Sequence, residues 1–369
     1  MSREIISQRI LQSIPNQKMV RLHLAPRFGK TKLIISLIER DKPVNILWVT
    51  PSRKLADFDI PAEFKKWNAE EYLDNLHVTT WASLKNITGS YDLIVLDEEQ
   101  NVTENNCKNF FNNTLSGNIV SMTGTPPSLE EKKEIYWRLG LSVAYTLTID
   151  EAVELGIVSD YKITIFNIAL STKKDIKVKR GKEIFYTSEL ARYEYIDKQA
   201  RNAYRSFSHN GKFPWAIAKR VDFIKKSKTK KELARRVVDK LCSGRTLIFA
   251  PFIDYAEEIC EHSYHSKSTS KSSLEDFQNF KINRLSLVNT GGVGFTFKGI
   301  ENLLIIQMDS NKTGLSTQKI ARALLKQERK EKVNIYILCI RGTKDEDWVA
   351  KGISEFEPSR VKMIRATIS

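Results

Sequence analysis

The stretch "LHLAPRFGKTKLIISLIER" at residues 22–40 decides the class of fold. An apolar run leads into Gly-Lys-Thr, and the residues after it carry apolar side chains at helical spacing. A strand that passes through a glycine turn into a helix is the context in which backbone N–H groups bind phosphate. The strict phosphate-loop pattern asks for a glycine five residues before Gly29, where this chain has Leu24. The stretch alone therefore leaves a phosphate site open.

Short apolar runs alternate with amphipathic stretches along the first 150 residues. The runs that predict buried strands are residues 19–26, 45–51, 76–81, 91–99 and 117–126. The stretches between them, such as "PAEFKKWNAEEYLDNL", predict helices. Repeated strand–helix–strand order indicates a parallel sheet covered by helices on both faces. Ligands bind at the carboxyl ends of the strands in such sheets.

A second series of the same kind follows, at residues 159–170, 245–252, 284–292, 302–309 and 332–342. A chain of 369 residues is long enough for two such domains. We therefore predict an α/β protein with domains at residues 1–150 and 151–369. Residues 171–235 are Lys-rich and mainly helical in pattern, and we interpret them as an insertion in the second domain.

The net charge of +15 is concentrated in one part of the chain. Basic and acidic residues cancel over residues 1–150, whereas residues 171–250 hold 22 basic and 8 acidic residues. Such an excess favours a polyanionic partner, and a merely solvated face is the alternative. Candidate phosphate contacts are Lys225, Lys226, Lys228 and Lys230. Candidate stacking residues, which core packing would explain as well, are Tyr193, Tyr195, Phe207, Phe213 and Trp215.

Several classes of protein are excluded by composition. Four scattered cysteines without a C-x-x-C pair, and five histidines without ligand spacing, predict neither a zinc site nor a disulfide framework. No apolar run approaches the roughly 18–20 residues that span a bilayer, and the N-terminus has no signal-peptide core. We therefore expect a cytoplasmic protein. Lys-, Asn- and Ile-rich usage is typical of AT-rich genomes, and from it we expect the cell to be bacterial or phage-infected.

A second motif, the acidic "LIVLDEEQ" at residues 93–100, supplies the carboxylate that a magnesium–nucleotide site needs beside Gly-Lys-Thr. Its aliphatic run places Asp97 at a strand end, directly followed by Glu98. With Lys30 on the β- and γ-phosphates, Thr31 and Asp97 would hold Mg²⁺, and Glu98 would deprotonate the attacking water. The alternative is an acidic helix N-terminus. The pairing with Gly-Lys-Thr favours a magnesium–nucleotide site.

In order and spacing, the motifs resemble those of superfamily 2 helicases with a DExH/Q box, from near the N-terminus to about residue 342. They are motif I at "APRFGKT", Ia at "VTPSRKLADF", Ib at "TTWASL", II at "DEEQ", III at "TGTPP", IV at "TLIFAPFIDYAEEI", V at "NTGGVGFTF" and VI at "STQKIARALL". The chain is most similar to compact phage and restriction-type enzymes such as the UvsW branch-migrating helicases. The resemblance implies two tandem RecA-like domains with a basic helical insertion in the second, and ATP with Mg²⁺ as cofactors.

The resemblance also implies roles for individual residues. Adenine recognition falls to Gln8, and coupling of hydrolysis to movement falls to Thr123 and Thr125. The residues of the ATP-binding motifs are Arg27, Phe28, Gly29, Lys30, Thr31, Asp97 and Gly294. Sequence-independent contacts to the nucleic-acid backbone fall to Thr50, Arg53, Thr80, Thr290 and Gly292.

Motif VI departs from the family pattern. The resemblance makes Arg322 an arginine finger that reaches the γ-phosphate from the second domain, with Gln318 beside it. The usual first arginine is Lys319, and Ala321 and Leu325 replace the usual glycine and second arginine. Arg322 is then the single finger unless Lys326 or Arg329 substitutes for it.

The sequence thus predicts a nucleic-acid-stimulated ATP hydrolase. Our first hypothesis is a helicase or translocase that acts on branched or forked DNA in repair, recombination or replication. The alternatives are an RNA helicase, and a non-unwinding motor subunit for a nuclease or packaging partner. None of the three implies a membrane.

Overall fold

The computed structural model describes residues 2–16, 18–126, 129–210, 215–268, 272–288, 297–309, 315–326 and 332–367, without the side chains of residues 180, 206–210 and 315. Within these ranges no helix is both long enough and apolar enough to cross a membrane. By their contacts the residues form two compact units. Within the described ranges, the first unit holds residues 2–160 and 315–326, and the second holds residues 161–288, 297–309 and 332–367. The domain boundary near residue 150 stays a prediction.

The first part of the chain alternates strands and helices as its apolar pattern predicts. Its elements are α1 (Arg3–Ser13), β1 (Met19–Leu24), α2 (Lys30–Asp41), β2 (Ile46–Thr50), α3 (Ile60–Lys66), β3 (Leu76–Thr80), β4 (Gly89–Asp97), α4 (Lys108–Phe111), β5 (Leu115–Thr123), α5 (Glu130–Arg138), β6 (Ser142–Leu147) and α6 (Ile149–Glu154). Short helical turns lie at Leu55–Asp59, Glu70–Asn75, Leu84–Asn86 and Glu99–Asn101.

The elements of the rest of the chain begin with three consecutive strands and then three consecutive helices. They are β7 (Asp160–Ile168), β8 (Ile176–Arg180), β9 (Glu183–Thr187), α7 (Glu189–Asn210), α8 (Trp215–Lys225), α9 (Lys228–Leu241), β10 (Thr246–Ala250), α10 (Ile253–Ile259), β11 (Ser263–Tyr264), α11 (Ser272–Gln278), β12 (Arg284–Val288), β13 (Asn302–Ile305), α12 (Leu315–Ala323), β14 (Lys332–Ile340), α13 (Asp345–Gly352) and β15 (Val361–Ala366), with a turn at Pro358–Arg360. Helix α12 belongs to the first unit by its contacts.

The first unit is built on a six-stranded parallel sheet with the order β3-β2-β4-β5-β1-β6. Strands β1, β4 and β5 are neighbours, and His23 pairs with Thr123 while Asp97 pairs with Met122. The loops that follow these three strands therefore meet at one edge of the sheet. Edge strand β6 was not predicted, because most of its residues are at least partly exposed and it lacks a continuous apolar run.

The second unit holds a seven-stranded sheet with the order β11-β12-β10-β13-β14-β7-β15. The ladders from β11 to β14 are parallel, as is the ladder between β7 and β15. Two sheets of this kind confirm the predicted α/β class with two tandem RecA-like domains. The short strand β11 and the C-terminal strand β15 were not among the predicted strands.

The insertion opens with a β-hairpin before its helices begin. Strands β8 and β9 pair antiparallel around Gly181 and join neither large sheet. The sequences "IKVKR" and "EIFYT" have the β-branched and aromatic residues of strands, which the high lysine content obscured. Helices α7 and α8 then pack on each other. The insertion is therefore basic and helical, but it is not helical throughout.

The basic surface proposed from the sequence loses one lysine. Lys230 is fully buried, and its ammonium group donates to Asp345, which is also fully buried, and to Gln307 Oε1 at 2.8 Å. Gln307 in turn donates to Asp345 Oδ1 at 3.0 Å. The interpretation of Lys230 as a phosphate contact was wrong, since the side chain closes a polar network inside the second unit. Lys230 and the exposed Lys226 belong to one Lys-rich run, and the sequence of that run does not show which of the two is buried.

Replacing Lys230 by Met should lower the free energy of unfolding by about 3–5 kcal/mol, because it leaves the carboxylate of Asp345 buried without its cation. The matched control is Lys226→Met, which removes a surface ion pair with Asp222 and an exposed cation near the ring of Phe252, and should cost less than about 1 kcal/mol. Urea unfolding followed by circular dichroism measures both. Equal losses in the two variants would contradict the buried network.

Candidate ATP site

The loop between β1 and α2 is shaped to receive an anion. The N–H of Phe28 donates to Ala25 O at 3.1 Å, and Gly29 then turns into α2 with φ = 104°, a conformation that favours glycine. No side chain caps this helix N-terminus, so its first N–H groups are available to an anion. The ring of Phe28 is 1% exposed. Only the backbone of Phe28 can therefore face a phosphate.

Lys30 and Glu98 form an ion pair across the sheet edge. Lys30 Nζ lies 2.8 Å from Glu98 Oε1, and both side chains are mostly buried. Burial opposes the charge on Lys30, but the nearby carboxylates of Glu98 and Asp97 outweigh it and raise the pKa of the ammonium group. Lys30 is therefore a permanent cation at the point where the phosphate loop meets the end of β4.

The two acidic residues at the end of β4 have opposite pKa shifts. Burial, with the charge of Glu98 beside it, raises the pKa of Asp97 to about 7, although Lys30 opposes the shift. Burial also disfavours ionisation of Glu98, but the charge of Lys30 and hydrogen bonds from Lys30, Gln100 and Gln318 lower its pKa overall. Glu98 is therefore the carboxylate that stays ionised.

Glu98 is held in an unusual backbone conformation. Its φ of 52° lies in the left-handed region, which costs a non-glycine residue about 1–3 kcal/mol and is typical of functional sites. Asn101 Nδ2 donates to its carbonyl at 3.0 Å. The preceding residue is fixed as well, because Trp81 Nε1 donates to Asp97 O at 2.8 Å. The turn thus points the Glu98 carboxylate at Lys30.

A chain of hydrogen bonds joins Glu98 to the "TGT" motif after β5. Gln100 Nε2 donates to Glu98 Oε2 at 2.7 Å, and Thr123 Oγ1 donates to Gln100 Oε1 at 2.6 Å. Thr125 N donates to Thr123 Oγ1 at 2.9 Å. Gln100 was quoted in the motif but given no role. The structure makes it the bridge between the acidic turn and the two threonines.

The glycine of the "TGT" motif brings this motif against the phosphate loop. A Cβ atom on Gly124 would lie 2.9 Å from Pro26 Cγ and 3.4 Å from Leu24 O. Any larger residue would push the two loops apart, so Gly124 is required for close packing. Thr123 and Thr125 are thereby fixed next to the loop that precedes Lys30.

Helix α12 brings two further polar side chains to the same place. Gln318 Nε2 donates to Glu98 Oε2 at 3.3 Å. Arg322 is 8% exposed, and burial, with repulsion from Arg27, lowers the pKa of its guanidinium to about 10. Both arginines remain charged at neutral pH. A buried guanidinium and a half-buried one that repel each other favour a polyanion between them.

The first unit also contains a buried ion pair that sequence reasoning missed. Glu99 is fully buried and accepts from Arg21 Nη2 at 2.7 Å and from the hydroxyl of Ser121. The Arg21 guanidinium lies 3.8 Å from the ring centroid of Tyr136, whose hydroxyl donates to Glu99 O at 2.8 Å. The signal was a charged residue inside the apolar run "MVRLHL". This cluster anchors the residue next to Glu98.

The residues assigned to nucleic-acid contacts are more varied. Arg53 is exposed, Thr80 is half-buried and donates to Ser83 Oγ at 3.1 Å, and Thr50 is fully buried. Gln8, assigned to adenine, is exposed on α1. Thr290, Gly292 and Gly294 lie outside the described residues. All these roles stay predictions.

The donor set fits a magnesium nucleotide rather than a metal held by protein alone. In the described part of the chain no group of three or more His, Cys, Asp or Glu is placed to hold a metal ion. Mg²⁺ characteristically takes one or two protein oxygens, with water and phosphate oxygens completing its shell. Asp97 and Thr31, at the edge where the uncapped helix begins, offer that arrangement.

Comparison with known proteins bears on the fold. No family model matches the sequence, and no curated protein matches it. The structure is similar to that of LlaBIII, an ATP-dependent Type ISP restriction-modification enzyme bound to DNA, with a TM-score of 0.61, 13% identity, and coverage of 99% of this chain and 31% of that one. It is also similar to the Hef helicase domain of Pyrococcus furiosus, with a TM-score of 0.51, 15% identity, and coverage of 94% and 96%. At these identities the likeness shows the fold alone, two parallel α/β domains in tandem.

The cluster around Glu99 gives a test by double-mutant cycle. Arg21→Met should lower the free energy of unfolding by about 3–5 kcal/mol, because the buried carboxylate of Glu99 loses its arginine and keeps His23 Nε2, at 3.3 Å, and the hydroxyl of Ser121 as neighbours. Arg21→Met combined with Glu99→Met removes both charges and should recover much of that loss. Guanidinium unfolding of the two single variants and the double variant measures the coupling. Strictly additive losses would show that the two side chains act independently.

Proposed function

We propose that the protein is an ATP-dependent nucleic-acid helicase or translocase. The observation that carries the proposal is the convergence of Lys30, Glu98 and Arg322 at one sheet edge beside an uncapped helix N-terminus. A nucleoside triphosphate is the anion that would interact with all of these groups: phosphate-binding amides, a lysine, a carboxylate base and an arginine. The helicase-type fold agrees with this assignment.

In this mechanism each residue has a separate task. The amides of α2 and Lys30 bind the β- and γ-phosphates, while Thr31 and Asp97 are the protein oxygens that would hold Mg²⁺. The ion neutralises phosphate charge when it is bound. Arg322 stabilises the charge that develops on the transferred phosphoryl group. Gln8 remains the proposed adenine contact. The backbone amides of Arg27, Phe28 and Gly29 remain proposed phosphate contacts.

Glu98 acts as the general base that removes a proton from the attacking water. Its lowered pKa keeps it ionised at neutral pH, which a base requires. Because Lys30 pairs with Glu98 at 2.8 Å, phosphate oxygens compete with Glu98 for the same cation. Phosphate binding would release Glu98 from Lys30 and leave it held by Gln100 and Gln318.

Gln100 transmits the state of Glu98 to motif III. Thr123 reports on Glu98 through Gln100, so a change in the carboxylate after hydrolysis alters the hydrogen bonds of the "TGT" turn. This chain of hydrogen bonds is a physical mechanism for the role proposed for Thr123 and Thr125, the coupling of hydrolysis to movement. It couples the chemistry to the loops at the carboxyl edge of the sheet.

We propose DNA as the nucleic acid, in branched or forked form, with contacts to its backbone that carry no sequence information. Two observations support it: the basic excess at residues 171–250, and the likeness to an enzyme whose structure is bound to DNA. Within superfamily 2 we place the chain with the DExH/Q-box enzymes of the compact, UvsW-like type, on the strength of "DEEQ" and the order of its motifs. Action on RNA, and movement without unwinding, are the competing readings.

A stimulation panel tests the proposal. We expect ATP turnover by the wild-type protein to rise at least tenfold with forked or single-stranded DNA, and less with RNA of the same length. A strand-displacement assay on the fork then separates unwinding from movement alone. If neither DNA nor RNA changes the rate of phosphate release, the motor function is wrong.

Two substitutions separate ATP binding from hydrolysis. Lys30→Ala should abolish turnover and weaken nucleotide binding, because it removes the cation of the phosphate loop. Glu98→Gln should keep nucleotide binding and lower turnover by about 10²–10⁴-fold, because the amide cannot accept the proton. A fluorescent-nucleotide binding assay beside phosphate release measures both.

The control is Glu130→Gln, a change of the same kind at an exposed glutamate of α5. It should match wild type in both assays. Turnover by Glu98→Gln at the wild-type rate would exclude Glu98 as the base.

A further inference from the structure

Helix α8 begins with a large aromatic side chain that the second unit does not cover. Trp215 is 65% exposed, although Ala216 and Ile224 on the same helix are buried. Of the other aromatics considered for stacking, Tyr193 is 4% exposed and its hydroxyl accepts from Lys344 N at 3.0 Å, so it is a core residue. Tyr195 is exposed, whereas the side chain of Phe207, and Phe213 altogether, lie outside the described residues.

Trp215 lines an open cavity of about 710 Å³ on the second unit. A second aromatic ring, Phe252, lines the same cavity from the loop that follows β10. The remaining lining residues are Ile217, Ala218, Lys219, Val221, Asp222 and Lys225. The cavity therefore combines two aromatic rings and a short apolar floor with lysines. That volume is within the range of small-molecule sites and is large enough for a nucleotide.

The Phe252 wall is fixed in place. Its ring meets that of Tyr255 edge to face, with centroids 6.0 Å apart and an interplanar angle of 74°. Tyr255 is buried, and its hydroxyl donates to Ser227 O at 3.1 Å. A ring held in this way offers a flat surface that need not be ordered when a ligand binds, which lowers the entropic cost of binding.

Cations surround both rings. Lys219 Nζ lies 5.1 Å from the ring centroid of Trp215, and Lys226 Nζ lies 5.3 Å from that of Phe252. Asp222 is the acidic residue of the lining, and it pairs with Lys226 at 2.8 Å. Lys219 and Lys225 therefore leave the cavity with a net positive charge. Aromatic faces beside ammonium groups fit a ligand that is flat at one end and anionic at the other.

The position of the cavity agrees with this chemistry. Phe252 lies just beyond Ala250, the last residue of β10, and so at the carboxyl edge of the second sheet. Ligands of parallel sheets bind at that edge. An apolar peptide would contact the rings but not the lysines, whereas a nucleic-acid strand would contact the rings with its bases and the lysines with its phosphates.

We propose that this cavity binds an unpaired nucleotide of a nucleic-acid strand, with its base stacked on Trp215 and the neighbouring phosphates on Lys219 and Lys225. The inference rests on the proposed function and adds to it a site that contacts bases. Stacking of this kind tolerates any base, since every base has a π face. It would hold single strands in preference to duplex, whose bases already stack on each other.

The test compares two labelled strands of equal length, oligo-dT and a strand of abasic deoxyribose phosphates, by fluorescence anisotropy. Trp215→Ala should weaken binding of oligo-dT roughly tenfold and leave the abasic strand unchanged. Trp215→Phe should keep most of the affinity, because a ring is retained. Lys219→Gln with Lys225→Gln should weaken binding of both strands and flatten the salt dependence.

The matched control is Trp137→Ala, which removes an 80% exposed tryptophan from α5 in the first unit and should bind both strands as wild type does. The inference is wrong if Trp215→Ala binds oligo-dT normally, or if it loses equal affinity for both strands. That result leaves the proposed function intact as long as DNA still stimulates ATP turnover by the wild-type protein. Absence of stimulation and of binding in the wild type would overturn both.

Discussion

The ion pair between Lys30 and Glu98 is the interaction on which the rest of the site depends. It joins the phosphate loop after β1 to the acidic turn after β4, although β5 lies between these strands in the sheet. The pair also sets the electrostatics of its neighbours. Lys30 keeps Glu98 ionised, and the charge on Glu98, together with burial, raises the pKa of Asp97. Burial and the ion pair thus give two adjacent carboxylates opposite pKa shifts, raised for Asp97 and lowered for Glu98.

The precision of that pair comes from structure beneath it. Glu98 occupies a left-handed conformation that a glutamate adopts only when its surroundings impose it. On one side Trp81 holds Asp97, and on the other the buried pair of Glu99 with Arg21 holds the next residue. Three consecutive acidic residues therefore have three different environments: Asp97 is half-buried with a raised pKa, Glu98 pairs with Lys30, and Glu99 is fully buried in an ion pair with Arg21. Because these contacts hold Asp97 and Glu99, the backbone of Glu98 between them can keep its strained left-handed conformation.

The sequence predicted the two sheets, and it also singled out Lys30, Glu98 and Gln318, which the structure brings into contact, because both leave local signals. Buried parallel strands are continuous apolar runs, and the loops that follow them hold the polar residues that meet at the sheet edge. What it could not predict depends on contacts between distant residues. Lys230 belongs to the same Lys-rich run of sequence as the exposed Lys226, and only the positions of Asp345 and Gln307 make it a core residue. Arg21 likewise is a charged residue inside the apolar run of β1, and only the position of Glu99 makes it part of a buried ion pair. Strand β6 and the hairpin of β8 and β9 were missed because exposed strands lack the continuous apolar run of buried ones.

The hydrogen bond from Gln318 to Glu98 joins residues 220 positions apart in the chain. The chain leaves the first unit after Asp160, forms most of the second, and returns to the first unit with α12. At the usual rate of about 5–20 residues per second, a ribosome needs roughly 10–45 s to pass from Glu98 to Gln318. During synthesis the phosphate loop and both carboxylates therefore exist well before Gln318 and Arg322. The order of synthesis thus delays the contact of Gln318 with Glu98, and with it completion of the proposed site, until the strands of the second sheet up to β13 have been made.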